Sequence, residues 1–114
     1  MPPNLRWLFF AAGPLEAAVI NTQLGVNVTA AQEIAVGYGN LTLVLDALET
    51  AIRDTPYICG ETFTAADVYV TSQISSMLQI GTPDMRPSFE AYVARAGDRD
   101  AAKRATRIND SLTR

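Results

Sequence analysis

The 114-residue chain contains no histidine and a single cysteine, Cys59. The first absence removes Ser-His and Cys-His dyads, imidazole metal ligands and the side chain most often used to move protons near neutral pH. The second excludes an internal disulfide and a cysteine metal cluster. Charge is also scarce, at 18% of residues against 48% hydrophobic, so the composition favours a packed core over disorder. No apolar run has the length of a membrane span: the densest, LRWLFFAAGPLEAAVI, is interrupted by Arg6, Pro14 and Glu16. The basic n-region and cleavage site of a signal peptide are missing too. Together these absences predict one soluble, cytoplasmic domain over residues 1–114, with no metal and no membrane partner. They weigh against self-contained catalysis.

Charge of one sign is concentrated at one end. The last 20 residues hold six of the nine bases against three of the twelve acids, so they carry +3 and the first 94 carry −6. The basic residues are Arg95, Arg99, Lys103, Arg104, Arg107 and Arg114, and no aromatic side chain accompanies them to stack on bases. A solvated face on a final helix is the preferred reading, with no nucleic-acid partner.

What is present reads as helix throughout, with no sustained period-two alternation. A first helix is expected from about Leu5 to Leu24, kinked at Pro14, whose missing N–H leaves the Phe10 carbonyl unserved. A second should open on a capping box, Thr29 with Gln32, and bury Ile34, Tyr38, Leu41, Leu45, Leu48 and Ile52. Gly37 and Gly39 would weaken it while permitting close approach of a neighbour. A helix to about Ile80 mixes Val70, Ile74, Met77 and Leu78 with serines and threonines, which suggests a central helix closely gripped. Asp84 and Pro87 open the next, carrying Phe89, Tyr92, Val93 and Ala96, and Gly97-Asp98 ends it. The last, from about Asp100 to Leu112, should turn Ala101, Ala105, Ile108 and Leu112 inward. The expected fold is an all-α bundle of about five helices.

Asp67 poses the functional question, because a lone carboxylate in CGETFTAADVYV could be a catalytic acid, a metal ligand or scaffold. Thr64 is a good N-cap with Asp67 at N3, so the hydroxyl can accept from the Asp67 N–H while the carboxylate reaches back to the Thr64 N–H. Phe63 and Val68 would form a hydrophobic staple, and a first-turn acid suits the helix dipole. Thr64 and Asp67 are therefore read as structural capping residues.

The stretches RWLFFAAGPLEAA and LETAIRDTPYICGETFTAADVYVTSQI resemble the all-helical C-terminal domain of the cytosolic glutathione S-transferases, especially bacterial ones. The resemblance spans about Leu5 to Leu112 and is most specific from Tyr57 to Tyr69. It implies that the capping box supports the central helix. It also implies a thioredoxin-like domain, not represented in this chain, that binds glutathione and supplies the thiol-activating residue. No catalytic residue is therefore expected here, and glutathione enters as co-substrate of the complete detoxification enzyme, not as a cofactor.

By alignment on Trp7 and Leu8, the positions facing glutathione and a hydrophobic electrophile fall at Phe9, Gly13, Glu16 and Ala17. Bacterial members often carry His and Lys at the last two, so Glu16 and Ala17 depart from a basic contribution. Phe9, Phe10, Gly13 and Pro14 could instead wall an apolar pocket. For Phe10 a place in the core is preferred. The resemblance further implies a homodimer, with an exposed apolar face around Trp7, Phe10, Ala11 and Pro14. Cys59 is expected buried and inert, and none of Tyr38, Tyr57, Tyr69 or Tyr92 has a base nearby in sequence. Two functions follow: the electrophile-site half of a glutathione S-transferase, or a non-catalytic transferase-like module for protein association.

Overall fold

The computed structural model describes residues 3–37, 39–80 and 86–113. Tyr38 and Asp84, both assigned places on helices above, lie outside them. The chain opens on α1 (Pro3–Phe10), passes through a π-helical turn (Ala11–Leu15) and continues as α2 (Glu16–Gln23). Backbone angles stay right-handed across both junctions, so the three pieces form one continuous rod. The wide turn is how the helix accommodates Pro14. The Glu16 N–H reaches back five residues to the Ala11 carbonyl, the spacing of a π turn, and also toward the Gly13 carbonyl. Ala11, Leu15, Ala18 and Val19 are buried along one face, the spacing of a single helical stripe.

The second helix differs from expectation. The Thr29–Gln32 box forms in both directions, at 3.0 and 3.3 Å, but the helix it opens is a single turn, α3 (Glu33–Val36). Gly37 ends it at φ 80°, and Gly39 follows at φ 79°. Both glycines therefore serve a left-handed turn and not a close helix contact. Asn40 then caps a new helix, α4 (Leu41–Ile52), by accepting from the Leu43 N–H at 2.9 Å. Ile34, expected inward, is 90% exposed because its turn never joins the stripe of α4. Val44, Leu45, Leu48 and Ile52 are buried.

A compact turn held by reciprocal Tyr57–Gly60 backbone bonds leads to α5 (Ala65–Ile80). This isolated bridge is the only strand-like pairing among the described residues. Gly60 at φ 120° closes it in a conformation that side chains disfavour. Ala66, Val70, Ile74 and Met77 of α5 are buried, and the helix packs on α1, the π turn, α2 and α6 (Pro87–Gly97). Its central position agrees with the sequence reading. The small residues have a different use, since Thr71, Ser72 and Ser75 line an outer cleft.

From α6, Phe89, Tyr92 and Ala96 complete the core. Burying a large apolar side chain such as Leu45, Leu48 or Phe89 contributes about 1.5–3 kcal/mol each. Arg86 clasps α4 to α6 through Asp46 at 2.7 Å and Glu49 at 3.1 Å.

The last helix, α7 (Asp100–Thr113), buries none of its residues, and among the described residues the helix it packs on is α6. Ala101, Ala105, Ile108 and Leu112 are all exposed, contrary to the inward placement expected of them. Ala101 and Ala105 face an open cleft of about 490 Å³ shared with Val68 and Val93, while Ile108 and Leu112 lie outside it. Lys103, Arg104 and Arg107 are exposed, as a solvated basic face requires. With the first rod counted once and α3 as a separate turn, the described residues form six helices in an all-α bundle.

Candidate functional site

The π turn sets the geometry of a cleft of about 630 Å³ at the kink of the first rod. Gly13, Pro14, Glu16 and Ala17 line it from the turn and the start of α2, and Ile20 continues the wall one helical turn later. Val36 and Gly37 close the far side from the end of α3. A Cβ placed on Gly13 would meet nothing within 4 Å, so the cleft is open above that residue. Its volume lies within the range of small-molecule sites, and among the described residues the side chains lining it are apolar apart from one carboxylate.

That carboxylate, Glu16, is half-buried and accepts a hydrogen bond from the Tyr69 hydroxyl at 3.0 Å. The bond ties α2 to α5 across 53 residues of sequence. Hydrogen bonding to Glu16 is the main cause that raises the Tyr69 pKa above its ordinary value, with desolvation and the carboxylate's charge acting the same way. Tyr69 therefore remains a hydrogen-bond donor at neutral pH. Among the described residues no lysine or arginine lines this cleft.

The other residues expected at the site go elsewhere. Phe9 is 64% exposed and does not line the cleft. Phe10 packs against the core and edge-on to Trp7 at 5.2 Å, the place preferred for it above. Of the face expected to be open, Ala11 is fully buried and Trp7, Phe10 and Pro14 are half-buried. Trp7 shares an open cleft with Asp46, Ala47, Thr50 and Ala51 of α4, Pro14 lines the cleft described above, and Leu5 and Phe9 are outward instead.

Asp67 is wholly buried and surrounded by donors. Its Oδ1 accepts from the Ile58 N–H at 2.9 Å and from the Tyr92 hydroxyl at 2.5 Å, and its Oδ2 accepts from the Thr64 N–H at 2.8 Å. The reach-back half of the capping box is thus formed. The other half is not: the Asp67 N–H donates to the Thr64 carbonyl at 3.0 Å. The Thr64 hydroxyl turns instead toward Asp67 Oδ2 at 3.3 Å and the half-buried Cys59 sulfur at 3.7 Å. Burial first, then the bond to Asp67, pushes the Tyr92 phenol far above its ordinary pKa. The expected staple also takes another form. Val68 is exposed, while Phe63 meets Tyr57 edge-on at 5.3 Å and carries the Arg99 guanidinium 3.4 Å above its ring.

This disposition of a buried capping acid on a central helix, beside a kinked first helix, coincides with a sequence match. Residues 27–95 match the family described as glutathione S-transferase, C-terminal domain. The chain belongs to this family. No curated protein and no solved structure matches it. As a glutathione S-transferase C-terminal domain, the chain carries Thr64, Asp67, Tyr69 and Tyr92 inside the matched stretch, whereas the cleft residues of the first rod precede it. Among the described residues no group of three metal-ligating side chains is gathered, and no helix is long and apolar enough to cross a membrane.

Sequence reasoning missed Tyr69, Val36 and Gly37 as members or supports of the cleft. Ile20 could have been found, since it stands one turn beyond Glu16 and Ala17. Nothing local announces the other three, which arrive from α5 and α3.

Proposed function

We propose that this chain is the electrophile-site half of a glutathione S-transferase. Joined to a thioredoxin-like domain, it would hold a hydrophobic electrophile while the glutathione sulfur attacks it. The observation that carries this reading is the cleft at the helix kink, where Gly13, Pro14, Glu16 and Ala17 come together with an apolar far wall. Such a lining binds apolar groups and excludes water, which suits reaction at sulfur. Thiol activation falls to the other domain: the chain has no histidine, and both Tyr69 and Tyr92 hold their protons more tightly than a free phenol. Glutathione as co-substrate, a homodimer and a cytoplasmic setting belong to the same proposal. The competing reading, a non-catalytic module for protein association, draws on the exposed Ile34, Leu24, Ile108 and Leu112.

Amide chemical shifts of the chain during titration with S-(2,4-dinitrophenyl)glutathione, and with glutathione alone, test the proposal. The aryl conjugate should shift Gly13, Ala17, Ile20 and Gly37, while micromolar glutathione shifts none of them. A conjugate that leaves these four residues unmoved would overturn the electrophile-site reading.

A further inference from the structure

We propose that Glu16 makes the kink cleft selective for hydrophobic ligands that carry a cationic group, an ammonium above all. The inference rests on the cleft being a ligand site, as proposed above, and adds the class of ligand it takes. Three observations support it. Among the described residues Glu16 is the one charged side chain lining the cleft, so it gives the cleft a negative field. The carboxylate is held in place, because the Tyr69 hydroxyl donates to its Oε2 at 3.0 Å from a helix that packs on the same rod. Its hydrogen-bond donor is that neutral phenol, and among the described residues no base forms an ion pair with it.

The chemistry follows from these placements. An ammonium entering between Ala17, Ile20 and Val36 can lay its apolar part on their side chains and direct its N–H groups to the carboxylate. Half-burial of Glu16 lowers screening relative to open water, so a charged partner gains more here than on the surface. An anion of the same shape meets repulsion from Glu16, and the Tyr69 hydroxyl is already engaged by that carboxylate. A neutral molecule gains only the apolar contact. Affinity should therefore run ammonium first, neutral second and carboxylate last.

Three probes of one shape test this order: 1-naphthylmethylamine, 1-naphthalenemethanol and 1-naphthoate, each titrated into the chain at neutral pH with amide shifts as readout. The amine should bind about fivefold tighter than the alcohol, the scale of a partly exposed ion pair. The naphthoate should bind more weakly than either. Rising salt should narrow the difference between amine and alcohol. Glu16→Gln should bring the amine down to the level of the alcohol, and Glu16→Lys should reverse the order in favour of naphthoate. Circular dichroism confirms that each variant is folded. If all three probes bind alike, or Glu16→Gln leaves the order intact, the selectivity claim fails while the cleft stands as a ligand site. If no probe shifts Gly13, Ala17, Ile20 or Gly37, the site reading itself fails and the selectivity claim falls with it.

Discussion

The carboxylate of Asp67 and the hydroxyl of Tyr92, 25 residues apart, meet at 2.5 Å in the centre of the bundle. Both side chains are fully buried, so this contact joins α5 to α6 where water cannot replace either partner. The same carboxylate serves the Ile58 and Thr64 N–H groups, and thereby anchors the turn that precedes α5. These donors engage both oxygens of Asp67, as a scaffold role requires.

Asp67→Ala would leave the Ile58 N–H and the Tyr92 phenol buried without this partner, each costing about 1–3 kcal/mol, and would expose the half-buried Thr64 N–H to water. The expected loss is at least about 2 kcal/mol. Thr64→Ala should cost only about 0.5–1 kcal/mol, near the low end for a cap, because the Thr64 carbonyl and not its hydroxyl receives the Asp67 N–H. Urea unfolding of the two variants checks the order. Equal losses would mean that Asp67 acts only as a local cap.

Alkaline pH supplies a second test through Tyr92. Its folded pKa is raised above the ordinary 10.0, so the folded state keeps a proton that the unfolded chain releases. The stabilisation from Tyr92 is fully present below pH 10 and declines as pH rises beyond it, by about 1.4 kcal/mol per pH unit. Tyr69, raised by Glu16, contributes in the same direction. Thermal melts between pH 8 and about pH 11.5 should therefore show a steep alkaline decline that Tyr92→Phe makes shallower. An unchanged slope in Tyr92→Phe would refute the linkage.

The glycines between α3 and α4 separate a turn from a continuous helix. In an unbroken helix Gly37→Ala and Gly39→Ala would stabilise by about 0.5–1 kcal/mol. At φ 80° and 79° each should instead destabilise by about 1–2 kcal/mol. Gly39→Ala should be the worse of the two, since its Cβ would come within 3.1 Å of Leu43 Cδ1, whereas that of Gly37 meets nothing. Differential scanning calorimetry of both variants distinguishes the two pictures. A raised melting temperature in either would restore the single helix.

Local physics made much of this chain legible in its residue order. The helical class, the disturbance of the first helix around Pro14, the reach of Asp67 to the Thr64 N–H and the buried stripes Val70–Ile74–Met77 and Phe89–Tyr92–Ala96 all depend on groups within about one or two helical turns. Near Gly37 local signals conflicted: the Thr29–Gln32 box and the apolar spacing favoured one helix, while two glycines and a second cap at Asn40 favoured a break. Folding chose the break, because Asn40 serves the new N-terminus and the glycines accept left-handed angles that other residues resist. The pairings of Asp67 with Tyr92 and of Glu16 with Tyr69 were decided only when distant helices met, since no spacing rule links positions 25 or 53 apart. The outward stripe of α7 was decided there as well. Apolar periodicity states which face of a helix can be buried, but whether a neighbour arrives to cover it depends on how the helices pack, and among the described residues the helix that α7 touches is α6.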